Sequence, residues 1–149
     1  MNPFVLPLSQ LLQHWKALRT DLKTQDEETQ LQSVVDFWSR SPLSTFAHDP
    51  EALDTYDTPW EMMHHNDWCQ NSVAVAMEFT LRLGGAPADK LVIKNIRDLD
   101  LSIQRLVVEF DGKYWLNYEH GSVSTIPNTN YDVLDTWKFS GKKYERIYA

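Results

Sequence analysis

The chain has a single cysteine, Cys69, among 149 residues, so an internal disulfide is impossible and nothing ties the protein to an oxidising compartment. No C-x-x-C or H-E-x-x-H pattern occurs, which removes the patterned zinc sites. Glycine is scarce, with five residues, and the pair Gly84-Gly85 follows a helical pattern instead of preceding one. It therefore reads as a helix terminator, with no phosphate-cradling loop. Positive charge is short: 14 Lys and Arg stand against 21 Asp and Glu, a net charge of −7. That balance excludes general binding to nucleic acid or to an anionic membrane. The longest apolar helix signal falls short of the roughly 20 apolar residues that cross a bilayer. The first residues, MNPFVLPLSQ, carry no basic segment ahead of their apolar positions, so no signal peptide is expected. A soluble, cytoplasmic protein of one domain over residues 1–149 is the expectation.

What is abundant is aromatic: six Trp, six Tyr and six Phe. The chain is organised around Thr58 to Gly85, TPWEMMHHNDWCQNSVAVAMEFTLRLGG. Thr58-Pro59-Trp60-Glu61 has a capping threonine, a proline at the first helical position and a glutamate three residues after the cap. This short helix is predicted to run to about His65 and stop at Asn66. Asp67 is expected to cap a second helix with Gln70 as its reciprocal partner. That helix has only Glu78 and Arg82 as charges, so it is apolar nearly all round and predicted to be buried. It places Cys69 in a first helical turn, where free N–H groups and the helix dipole favour a thiolate. A small buried residue would occupy the same place.

Before this stretch, Pro3 to Pro7 reads as an extended lead-in. Leu8, Leu11, Leu12, Trp15, Leu18 and Leu22 recur at helical spacing, as do Leu31, Val34, Val35 and Trp38 after a start at Gln25 or Asp26. Leu43 to Asp57 lacks periodicity and reads as a solvated acidic loop, with one helical turn opening at Asp49-Pro50-Glu51. After Gly85 the period becomes two. Strands are predicted at Leu91–Ile93, Gln104–Phe110, Tyr114–Tyr118, Ser122–Ile126, Tyr131–Phe139 and Tyr144–Tyr148, with Asp111-Gly112 as a two-residue hairpin turn. The class is α+β: N-terminal helices and a buried central helix packed on a C-terminal antiparallel meander of about four to six strands.

This layout resembles that of papain-like and transglutaminase-like cysteine enzymes, over roughly Trp68 to Tyr118. The matching residues are Asp67-Trp68-Cys69 opening the helix, the strand Gln104 to Phe110, the hairpin Asp111-Gly112-Lys113 and the strand Trp115-Leu116-Asn117. The resemblance implies a Cys69 nucleophile with Asn117 orienting a base. The implied histidine is missing, because the second strand begins Ser102-Ile103-Gln104-Arg105. His120, three residues past Asn117, or His65, just before the cysteine helix, would have to take the proton. Helix-start N–H groups with Gln104 would stabilise an oxyanion. His64 and His65 point about 100° apart on a helix, an awkward pair for one ion, and no metal or cofactor is expected.

A second resemblance rests on Asp36-Phe37-Trp38-Ser39-Arg40-Ser41-Pro42, on Thr58-Pro59-Trp60-Glu61-Met62-Met63 with Asn66-Asp67-Trp68-Cys69, and on Gly112-Lys113-Tyr114-Trp115-Leu116-Asn117-Tyr118. These runs look like uncharacterised proteins of T4-like tailed phages of marine bacteria, which implies a bacterial host cytoplasm. Two functions follow. One is a phage-type accessory or interaction protein without catalysis, acting on an unknown protein partner. The other is a cysteine-dependent hydrolase or acyltransferase acting on a small acyl or peptide substrate.

Overall fold

The computed structural model describes residues 2–128 and 130–147. Helix α1 spans Leu8–Leu22 and buries Leu11, Trp15 and Leu22; helix α2 spans Glu27–Trp38 and buries Leu31, Val34, Val35 and Trp38. Both stripes are those of the 3.6-residue period. Asp26 caps α2 by accepting the Thr29 N–H at 2.8 Å. Pro3–Val5 forms a 3-10 turn where an extended lead-in is expected, because the Asn2 side chain accepts the Phe4 N–H and caps it. The acidic loop turns at Asp49-Pro50-Glu51, where the Ala52 N–H donates to Asp49 O at 3.2 Å and the Glu51 N–H to the Asp49 carboxylate at 2.9 Å, and a 3-10 turn follows at Leu53–Thr55.

Helix α3, Pro59–His65, has the full Thr58/Glu61 capping box and ends at Asn66 in the left-handed region, φ 50°. Helix α4, Gln70–Leu83, starts two residues later than Asp67 capping requires. Cys69 itself is the N-cap, and its partner three residues on is Ser72. The helix is buried continuously from Asn71 to Glu78. Its end also differs in detail: Gly84 has φ −77°, and Gly85, at φ 103°, is the left-handed residue. Gly84 is needed for space, since a Cβ there would meet the Leu22 side chain at 2.6 Å.

The strands are β1 (Leu91–Asp98), β2 (Ile103–Phe110), β3 (Tyr114–Leu116), β4 (Val123–Thr125), β5 (Tyr131–Phe139) and β6 (Tyr144–Ile147). The predicted end of β6 at Tyr148 lies outside the described residues. Asp111 and Gly112, at φ 54° and 65°, make the β2–β3 turn, the mirror-image turn that matches strand twist. All pairings are antiparallel, in the order β4-β3-β2-β1-β5-β6. The sheet is therefore not a pure meander. β5 crosses back to the free side of β1, where Leu99 N–H donates to Asn130 O.

One face of the sheet carries the helices and the main core, including Ile93, Leu106, Val108, Phe110 and Trp137. The other face has a small cluster of Ile96, Val107 and Trp115, covered by Tyr118, Ile126 and Tyr131. Most of the tryptophans are core. Trp15 and Trp38 both donate to the Thr80 hydroxyl at 3.0 Å, and that hydroxyl donates to Ala76 O. Trp38 packs on Trp68 with ring centroids 5.1 Å apart. Trp60 is the exception at 42% exposed.

Candidate functional site

Cys69 sits where β-region backbone turns into α4, and its side chain is 3% exposed. The sulfur accepts two main-chain N–H groups, from Ser72 and from His48, each at 3.4 Å. The Ser72 hydroxyl accepts the Cys69 N–H at 2.9 Å, so sulfur and hydroxyl cap each other's backbone. Sequence reasoning missed this because cysteine is not among the preferred capping residues. Among the described residues neither hydrogen bond at the sulfur comes from an imidazole.

His48 reaches the sulfur because the 43–57 segment, mostly exposed as expected, is tied down at a few points. Leu43 bridges Trp68, Ser44 N–H donates to Trp68 O at 2.7 Å, and the Asn71 amide donates to His48 O at 2.9 Å. The Asn71 carbonyl in turn accepts the Leu106 N–H of β2 at 3.3 Å. Asn117, held at φ 70°, donates from Nδ2 to Gln70 O at 2.8 Å and to Leu106 O at 3.0 Å. Two asparagine side chains thus clamp the start of α4 to the middle of β2.

Two hollows flank this clamp. The first, about 330 Å³, is lined by His48, Asp49, Tyr56, Asp57, His65 and Asp67, with Ser72 at its wall. It shares His48 and Ser72 with the surroundings of the sulfur. The Tyr56 hydroxyl donates to Asp49 O at 2.9 Å, and its ring lies 5.5 Å from that of His48. Burial, then the neighbouring Cys69 and Asp49, push the Tyr56 phenol above its ordinary range. The second hollow, about 130 Å³, is lined by Gln70, Asn117, Glu119 and His120 among others. The residues singled out from sequence are therefore divided. Asn117 and His120 line one hollow, whereas His65 lines the other.

Gln104 takes no part in either. Its amide donates to Asn95 Oδ1 at 3.1 Å, Asn95 donates to Asp135, and Asp135 pairs with Arg146 at 3.2 Å. Beside it, Arg105 donates to Tyr118 O and lies 5.4 Å over the Tyr118 ring. The start of β2 thus presents a glutamine and an arginine where the papain-like layout sets an imidazole. His48, Tyr56 and Asn71 were not foreseen. Asn71 follows Cys69 by two positions, but His48 has no local signal, since its segment has no periodicity. Among the described residues no group of three or more His, Cys, Asp or Glu side chains could hold a metal ion. No helix among the described residues is long and apolar enough to cross a membrane.

No protein-family profile matches the chain, and no curated protein sequence matches it. Solved structures do. Legionella pneumophila LapG is similar at 22% identity over 88% of this chain and 75% of that one, with a TM-score of 0.69. Its EGTA-treated form gives 22% identity over 83% and 69%, TM-score 0.68. Its calcium-bound form gives 20% identity over 91% and 80%, TM-score 0.72. At this identity the likeness speaks for architecture, and with the four helices and six-stranded sheet described above it establishes an α+β chain of papain/transglutaminase-like fold.

Proposed function

We propose that the chain is a non-catalytic accessory or interaction protein on a papain/transglutaminase-like scaffold, of the kind encoded by T4-like tailed phages and acting in the cytoplasm of a bacterial host. The observation that carries this reading is the Asn117 amide, whose two N–H bonds go to the carbonyls of Gln70 and Leu106. A cysteine nucleophile needs a base at the sulfur and a third group that orients the base. Here the position of the third group fastens a helix to a strand. The sulfur's acceptor sites face main-chain N–H groups, and β2 opens with Gln104 and Arg105. On this reading Cys69 is a capping residue and the scaffold offers surfaces to a protein partner.

The test is the alkylation rate of Cys69 by iodoacetamide as a function of pH, in the native protein and in His48→Ala, His65→Ala and His120→Ala. Slow labelling that accelerates only on unfolding, unchanged by all three substitutions, is the expected result. Fast labelling at about pH 6, well below the ordinary thiol range, and lost in one variant would overturn it.

That second outcome would support a cysteine-dependent hydrolase or acyltransferase, a reading favoured by the His48 and His65 side chains lining the hollow next to the sulfur. In it the Cys69 sulfur attacks the carbonyl of a small acyl or peptide substrate. His65 or His120 takes the thiol proton, Asn117 orients it, and N–H groups at the α4 start receive the oxyanion; Gln104, bonded to Asn95, is not placed to help. The tetrahedral intermediate then expels the substrate's amine or alkoxide, which takes the proton back from the histidine and leaves the acyl group on the sulfur.

A further inference from the structure

Helix α1 has one acid, Asp21, and its cations Lys16 and Arg19 are followed by Lys23, so three positive charges recur at spacings of three and four. That spacing sets them along one side of the helix. Five cations elsewhere, Arg82, Lys90, Lys94, Lys113 and Arg146, pair with an acid, whereas Arg97, Arg105, Lys138, Lys142 and Lys143 form no ion pair among the described residues. Among the described residues none of the α1 cations pairs with an acid either, although the chain carries 21 acids. Arg19 is also fixed in place. Its guanidinium lies 4.2 Å over the Trp15 ring and 5.6 Å from the Trp60 ring, and its Nε is buried without a hydrogen-bond partner. Trp15 is fully buried and anchored to Thr80 at 3.0 Å. Trp60 stands edge-on to Trp15 at 4.8 Å with 42% of its surface exposed. Between Leu12, Gln13, Lys16, Arg19 and Trp60 is a hollow of about 240 Å³.

We propose that this face, formed by α1 and the start of α3, docks a short acidic segment of a partner protein. One apolar side chain of the segment enters the hollow against Leu12 and Trp60. An adjacent carboxylate meets Lys16 and the outer N–H groups of Arg19. The hollow is below the roughly 300 Å³ at which small-molecule sites begin, so it suits a single side chain. A stacked arginine beside an exposed tryptophan is the composition of an energetic centre in protein interfaces. Stacking pre-orders the guanidinium fork that carboxylates recognise. An extended polyphosphate would run off this face onto a surface of net charge −7, whereas a short segment stays within it. The inference is independent of how Cys69 is read.

The probe is a fluorescein-labelled peptide with one central leucine flanked on each side by two glutamates, followed by anisotropy. Its control carries glutamines in place of the glutamates. Saturable binding is expected, weaker by at least about tenfold for the control peptide and for Lys16→Glu, an exposed change that leaves the fold alone. Trp60→Ala abolishes it, and Lys142→Glu, on the far side of the sequence, leaves it unchanged. Raising salt from about 50 to 300 mM weakens it. Absence of saturation up to about 1 mM, equal binding of the glutamine peptide, or equal loss in Lys142→Glu overturns the proposal. So does tighter binding of single-stranded DNA that Lys16→Glu removes, which would make the face a polyanion site. Self-association by sedimentation that Lys16→Glu dissolves would make the occupant a second copy, and equally overturns it.

Discussion

The two halves of α4 hold their polar groups in opposite ways. At its start, Cys69, Asn71, Ser72 and Asn117 bond mostly to the main chain or to one another. Toward its end the partners are side chains. Arg82 forks onto Glu78 at 3.1 Å and Tyr144 donates to the same carboxyl at 2.6 Å, while Thr80 accepts from two tryptophans. Burial, then Glu78, drives the Tyr144 phenol well above its ordinary range. Burial pulls the Arg82 guanidinium down, but the Glu78 carboxyl together with Tyr144 more than offsets it, so the net shift is upward. Strongly shifted groups often mark reactive sites. Here the best-sealed one, Tyr144, ties α4 to β6 through Glu78, and at the other end the Asn71 and Asn117 amides bond to main chain.

The comparison can be broken at its strongest point first. Glu78→Ala leaves Arg82 and the Tyr144 hydroxyl without their buried partner and is expected to cost about 3–5 kcal/mol in denaturant unfolding. A loss below about 1 kcal/mol would show that the knot does not hold the helix. Thr80→Val keeps the shape but strips the acceptor from two buried indole N–H groups. The expected loss is about 2–4 kcal/mol, read from a thermal melt. Asn117→Asp sharpens the contrast at the other end. A carboxylate can orient an imidazole but cannot donate to the carbonyls of Gln70 and Leu106, so about 2 kcal/mol should be lost. Unchanged stability would restore an orienting role to this position.

The smallest effect is one of pH. Asp26 is held below the ordinary carboxylate range by hydrogen bonds from Thr29, Glu61 by those from Thr58, and Asp98 first by the Leu101 N–H. A depressed carboxylate adds stability that is complete above its unfolded pKa of about 4 and is lost as pH falls through the lower folded value. Melting temperature should therefore stay flat from neutrality down to about pH 5 and decline below pH 4. Asp98→Asn should flatten that decline.

The same contrast explains what was legible in the sequence. The capping box at Thr58 and Glu61 and the Asp111-Gly112 turn were readable because all their determinants lie within four residues. Helices α1 and α2 were readable because burial imprints a period. The start of α4 was misread by two residues, since Asp67 obeys the capping rule whereas the observed cap, Cys69 with Ser72, does not. The crossing of β5 to β1 leaves no local trace, and neither does the approach of His48 to the sulfur. Both depend on segments that meet only after folding. The candidate site was thus legible for Cys69 and Asn117 as places in a layout. It was not legible for what their atoms touch.

The clamp at Leu106 has a consequence for self-assembly. β3 pairs only with Val108 to Phe110, so the outer rim of β2 from Ile103 to Val107 has no neighbouring strand. Unpaired rims are templates for adding foreign strands, and natural sheets blunt them. Here the amides of Asn71 and Asn117 take the N–H and C=O of Leu106, and Arg105 reaches the Tyr118 carbonyl across the same gap. Side chains imitate a missing strand along this rim of β2, which would otherwise be open to fibril-like growth.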